Sequence, residues 1–112
     1  ESLKRDREIV LVAITQSETA FQWADESLQR DRGFVLAVVA QDGMALDCVQ
    51  ASFKGDREVV LIAVTQDGSA LEFADKSLKR DRDIVLAAVE QDGWALQFVH
   101  DESLRQTLLL AE

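Results

Sequence analysis

One cysteine, one histidine and no asparagine occur among the 112 residues. A lone Cys48 cannot close an internal disulfide, and without asparagine there is no N-glycosylation acceptor, so an extracellular scaffold is disfavoured. Long apolar runs are missing too. The longest, Phe34 to Ala40, falls well short of the roughly 18 to 20 residues that span a bilayer, and no basic-then-apolar leader opens the chain. We therefore expect a soluble protein, with an intracellular location favoured and no membrane partner. Basic residues are scarce: 12 Lys and Arg stand against 21 Asp and Glu, a net charge of -9, which argues against binding a nucleic-acid backbone. What remains, 47% hydrophobic and 29% charged, is a globular composition with enough apolar matter for a core, which excludes intrinsic disorder.

The chain is repetitive. Asp31 minus Asp6, Asp56 minus Asp31 and Asp81 minus Asp56 each give 25, so residues 1–25, 26–50, 51–75 and 76–100 form four ungapped repeats. Residues 101–112 re-enter the pattern one residue late as a partial fifth copy. Repetition at this period marks a stacked array whose units complete one another's cores. The whole of 1–112 is read as a single repeat domain.

Each repeat holds an apolar run after an Asp-Arg pair, then Gln-Asp-Gly, then Ala-Leu-x-aromatic. The β-branched residues around Asp-Gly could signal a hairpin. The first repeat argues otherwise: it has Ser17-Glu18 in place of Asp-Gly, and Ser replaces Asp readily at a helix N-cap but Glu is poor in a turn needing positive φ. Ala20, Phe21, Trp23 and Ala24 also lie on one helical stripe. The pattern thus predicts an all-α fold, an α-solenoid of about four two-helix repeats plus the truncated copy. In each repeat a helix of about ten residues is capped by Asp6, Asp31, Asp56 or Asp81. A shorter one is capped by Ser17, Asp42, Asp67 or Asp92. The first is apolar nearly all round and needs neighbours on several sides. Leu3, Leu28, Phe53, Leu78 and Leu104 are expected to pin the connecting segments.

The stretch Leu-Lys-Arg-Asp-Arg-Asp-Ile-Val-Leu-Ala-Ala-Val-Glu-Gln-Asp-Gly-Trp-Ala-Leu-Gln-Phe, Leu78 to Phe98, closely resembles the repeat of the domain of unknown function numbered 4116. The resemblance covers almost the whole chain, departing at Ser17-Glu18. It implies a helical tandem repeat found within larger proteins and brings no catalytic residues with it.

Two slots alternate in size. Val12 accompanies Ala24, Ala37 accompanies Val49, Ile62 accompanies Ala74, and Ala87 accompanies Val99. Compensating volumes in a close-packed interior lead us to expect that these slots touch, within or between repeats.

Ser2, Asp6, Arg7 and Gln16 recur unchanged in all four repeats, which suits architecture better than catalysis. Arg at the first helical position opposes the helix dipole and should have a compensating partner. Arg7, Arg32, Arg57 and Arg82 are therefore expected to form a ladder to adjacent repeats. The basic residues, all but Lys76, fall in the Lys-Arg-Asp-Arg slot or its fifth copy. Stacking would gather them either as a ridge for phosphate or an acidic partner, with Lys79, Arg80 and Arg82 as its members in the fourth repeat, or as an internally neutralised seam. Met44 and Trp94 occupy a slot that is polar in the other repeats. They could make a partner-binding patch, or Trp94 could cover Leu108 to Leu110. Trp23 and Cys48 share a slot with Phe73 and Phe98 and are read as core, Cys48 as an inert thiol. His100 is read as a linker residue.

No nucleotide loop, zinc spacing, nucleophile elbow or catalytic carboxylate pair stands out. We expect no enzyme, cofactor or metal, and a scaffold that binds a protein or peptide. A structural spacer or self-assembly element is the alternative. The opening at Glu1 and the unfinished last helix suggest an excerpt with apolar stacking faces at both ends, from which end-to-end homo-oligomerisation is expected.

Overall fold

The computed structural model describes residues 6–99, 105 and 106. Within them the fold is all-α, Val35 to Val39 is helical, and no strand occurs. Four ten-residue α-helices recur in register: Arg7–Gln16, Arg32–Gln41, Arg57–Gln66 and Arg82–Gln91. Each is opened by the expected aspartate, whose carboxylate accepts backbone N–H bonds that no helical carbonyl can reach. Asp6 accepts from Ile9, Asp31 from Phe34, Asp56 from Glu58 and Val59, and Asp81 from Asp83 and Ile84.

The second element of each repeat is a 3₁₀ helix, at Glu18–Trp23, Gly43–Cys48, Gly68–Phe73 and Gly93–Phe98. In so short a piece, i→i+3 bonding closes one more backbone bond than i→i+4. Asp42, Asp67 and Asp92 cap it by accepting from the amides of Met44, Ser69 and Trp94, whereas Ser17 makes no side-chain capping bond. The connecting segment is itself helical for one turn, at Glu26–Gln29, Ala51–Lys54 and Leu78–Arg80. The second, third and fourth repeats therefore each have three helical pieces where two were expected. Leu28 and Leu78 are buried as pins and Phe53 packs partly buried against the core. Leu3 and Leu104 lie outside the described residues.

Like packs on like. Each long helix contacts the long helix of the next repeat, and each 3₁₀ helix the next 3₁₀ helix. The shared interior is formed by Phe34, Val35, Val38, Val59, Val60 and Ile84 of the long helices and by Leu46 and Leu71 of the 3₁₀ helices, all fully buried. Phe21 and Phe34 stack across the first junction with ring centroids 6.3 Å apart. Glycine follows the capping aspartate because the next repeat comes too close for a side chain. A Cβ on Gly43 would run into the carbonyl oxygen of Ala63, and one on Gly68 into that of Ala88. No described glycine has positive φ, so proximity and not a turn conformation demands the residue.

One interior assignment is corrected. Trp23 is 44% exposed, and Cys48, Phe73 and Phe98 are half-buried: the last slot of the 3₁₀ helix lies at the margin of the core. The alternating slots differ in burial. Ala24, Val49, Ala74 and Val99 are buried, whereas Val12 is 60% exposed, Ala37 is exposed, and Ile62 and Ala87 are partly buried against the core.

Candidate functional site

The recurring polar residues are used between repeats. Arg7 donates to Asp31 at 3.1 Å; Arg32 donates to Asp56 at 2.7 Å and to Glu58 at 2.6 Å; Arg57 donates to Asp81 at 2.8 Å and to Asp83 at 3.0 Å. Every capping aspartate from the second repeat onward thus holds its own helix and the arginine of the repeat before. The guanidinium of Arg32 holds the Asp56 carboxyl below the ordinary carboxylate range, and Arg57 does the same to Asp81, while both arginines are held more firmly protonated. The first rung has one carboxylate because Gly33 replaces the acid found at Glu58 and Asp83; Arg7 lies instead over the Phe34 ring, 5.4 Å from its centroid. Arg82 has no carboxylate partner among the described residues, and the residue 24 places on, Gln106, is an amide.

At the other end of the long helices the glutamines bridge repeats. Gln41 donates to the Leu11 carbonyl at 2.7 Å, and Gln66 to the Gln41 carbonyl at 3.5 Å; Gln91 accepts from the Gly68 amide at 2.6 Å. Ser69 donates to the Asp92 carboxylate at 3.0 Å. In the first three repeats the basic slot is accordingly a neutralised seam at its helix-start arginine.

The fourth repeat differs. Trp94 is 77% exposed and, with Gly93, Leu96, Gln97 and Arg105, lines an open groove of about 430 Å³. The Nε of Arg105 has no hydrogen-bond acceptor among the described residues. Arg80 and Arg82 are exposed and Lys79 is half-buried. Met44 is half-buried against the core. Leu108 to Leu110 and His100, together with residues 1–5 on the opposite end, lie outside the described residues, so the stacking ends do as well. Sequence reasoning missed a second groove, of about 340 Å³, between Ala40 of the second repeat and Leu61, Ile62, Thr65 and Gln66 of the third. Its signal was the lack of charge on one helical face, which reads as core until the face is seen to be outside. Among the described residues no helix is long and apolar enough to cross a membrane, and no group of three metal-binding side chains occurs.

Capped long helix, Gly-headed 3₁₀ helix and arginine ladder repeat at a fixed interval, and a family match follows that interval. The chain belongs to the family Domain of unknown function (DUF4116). Two overlapping matches, residues 31–79 and 56–105, begin 25 residues apart (56 minus 31), and each starts at a capping aspartate. The DUF4116 unit therefore spans about two of the repeats described above. No curated protein and no solved structure is significantly similar to the chain.

Proposed function

We propose that this chain is a non-catalytic helical scaffold, a segment of an α-solenoid, that presents the surface of its fourth repeat to a protein or peptide. One observation supports the reading most directly. Arg7, Arg32, Arg57, Gln41, Gln66 and Gln91 serve the junctions, whereas Trp94 stands out from the surface beside a groove edged by Arg105. An exposed tryptophan next to an arginine is the composition that dominates binding energy in protein interfaces. Lys79, Arg80 and Arg82, with no carboxylate partner among the described residues, add positive charge in the same repeat, which suits a partner carrying apolar and acidic side chains together.

A pull-down with the intact chain, compared with Trp94→Ala and with Lys79, Arg80 and Arg82 all changed to Ala, checks it. Capture that is lost with Trp94→Ala supports the apolar groove as the binding element. Loss only with the basic group favours the ridge for an acidic or phosphorylated partner. Capture that survives both changes, or no capture at all, sinks the reading in favour of a spacer, for which the continuous Arg–Asp ladder is the supporting feature.

A further inference from the structure

The last slot of the 3₁₀ helices, which the sequence pattern assigns to the core, forms a half-exposed row instead. Trp23 is 44% exposed, and Cys48 and Phe73 are half-buried. Each 3₁₀ helix packs on the next, so equivalent positions line up from repeat to repeat, at the spacing of about 8 to 10 Å usual for packed helices. The result is an apolar stripe along the flank of the array. Its surroundings carry one sign of charge. Residues 17–25, 42–50, 67–75 and 92–99, each a 3₁₀ helix with its cap and exit, hold two, two, three and one Asp or Glu and no Lys, Arg or His. Against a net charge of -9 for the whole chain, the remainder is close to neutral. Asp47 and Glu72 immediately precede Cys48 and Phe73, are exposed, and form no ion pair with a described residue. The acids at the starts of the long helices differ, since Asp31, Asp56, Glu58, Asp81 and Asp83 each hold an arginine of the repeat before.

We propose that this stripe docks a basic amphipathic helix of another protein, with the partner's apolar side chains on Trp23, Cys48 and Phe73 and its Lys and Arg towards Asp47 and Glu72. Charge complementarity sets the sign of the partner: an acidic segment is repelled from this flank, and a cationic one is steered to it. The apolar row sets its amphipathic character. A half-exposed tryptophan and phenylalanine gain from burial only against apolar surface, which a merely basic peptide does not bring, and a Lys or Arg close to Trp23 can also lie over its ring. Backbone chemistry sets its form. Among the described residues there is no strand edge with which an extended chain could pair, whereas a helix satisfies its own amides and lays one face on the row. Residues seven apart on a helix are about 10 Å apart along its axis, so one partner helix reaches successive slots with successive turns of its apolar face. This goes beyond the scaffold reading and does not rest on it, since the groove of Trp94 and Arg105 lies in the fourth repeat and suits a partner of the opposite charge.

Fluorescence anisotropy of a labelled helical peptide tests the docking. The probe has leucines along one face and lysines elsewhere, and is titrated with the chain at about 150 mM salt, where weak surface attraction is screened. Saturable binding with a Kd below about 100 µM is expected. The same peptide with serine for leucine, and the same peptide with glutamate for lysine, should each bind at least about tenfold more weakly. On the protein, Asp47→Lys combined with Glu72→Lys, both at exposed positions, should weaken binding at least about tenfold with helical circular dichroism unchanged. Trp23→Ala should weaken it about fivefold. Glu8→Lys combined with Glu90→Lys makes the same change of net charge on the long helices and should leave the affinity within about threefold of the parent, as should Trp94→Ala. Absence of binding up to about 1 mM overturns the proposal. So does a serine peptide that binds as tightly as the leucine one, a loss equally large with the Glu8 and Glu90 changes, indifference to Trp23→Ala, or abolition by Trp94→Ala. Failure here while Trp94-dependent capture persists removes this inference and leaves the scaffold reading standing; the reverse result removes that reading and leaves this one.

Discussion

The third and fourth repeats carry the same residues in most of their slots and use them differently. Gly68 lies under the carbonyl of Ala88, but among the described residues nothing comes within 4 Å of where a Cβ on Gly93 would stand. Arg57 bonds two carboxylates of the next repeat, and Arg82 has none among the described residues. Leu71 is fully buried, and Leu96 is half-buried and lines a groove. A residue in such an array acquires its role from the repeat that covers it, so identical sequence gives a junction in one place and a surface in another. Pairs of equivalent substitutions can separate the two.

The largest contrast is expected in the leucine pair. Leu71→Ala leaves a cavity between two repeats and should cost about 2 to 5 kcal/mol, whereas Leu96→Ala, already part-exposed, should cost well under half as much. Urea unfolding of the two variants measures the difference; equal losses would mean that the fourth repeat is as fully covered as the third. Next comes the glycine pair. Gly68→Ala forces a methyl group against the backbone oxygen of Ala88, an overpacking that costs about 1 to 3 kcal/mol. Gly93→Ala meets nothing among the described residues and should be neutral or stabilising by a few tenths of a kcal/mol through the unfolded chain. If both glycines tolerate alanine, the close approach between repeats is wrong.

Much of this frame was legible from residue types alone, for reasons that differ by element. The long helices announced themselves because an aspartate before an apolar run is both a cap and a boundary, and all four runs start and stop where their caps place them. The arginine ladder followed from an electrostatic misfit: a cation at a helix start needs an anion, and the repeat supplies one at fixed distance. The 3₁₀ form of the second helix was not legible, since Ala20, Phe21, Trp23 and Ala24 satisfy spacings of three and of four equally well. Nor was the outer face. Val12 and Ile62 are aliphatic and uncharged, as core residues are, and composition does not say which side of a helix the neighbours occupy. Trp94 stood out because its slot holds Ser69 in the third repeat, but its groove also needs Arg105, whose approach no pattern of spacing contains.

A smaller contrast separates the two duties of the capping aspartates. Asp6→Ala removes a cap alone, since among the described residues no arginine precedes it, and should cost about 1 kcal/mol. Asp81→Ala removes a cap and the acceptor of Arg57, and should cost more. The excess over Asp6→Ala is the contribution of one rung. It should shrink as salt is raised towards 1 M, because half-exposed ion pairs are screened. An excess that does not change with salt would assign the rung to packing of the arginine stem and not to charge.

The smallest expected effect is on the pH dependence, and its sign follows from the same rungs. The guanidinium of Arg32, with the Val59 amide, holds the Asp56 carboxyl below the ordinary carboxylate range, and Arg57 with the Ile84 amide does so for Asp81. Asp75 is lowered as well, by the hydroxyl and amide of Ser77. A carboxylate held low in the folded state binds fewer protons there than in the unfolded chain. Its contribution is therefore complete above the unfolded value of roughly 3.9 and drains away as pH falls through the depressed folded value. Stability should be level near neutrality and decline below about pH 4. Asp56→Asn and Asp81→Asn should each lower the plateau and make that acid decline shallower. Unfolding midpoints measured at intervals from acid to neutral pH decide it: a slope that is the same in both variants as in the parent would mean that the rungs are equally populated in the unfolded chain and contribute nothing to the acid transition.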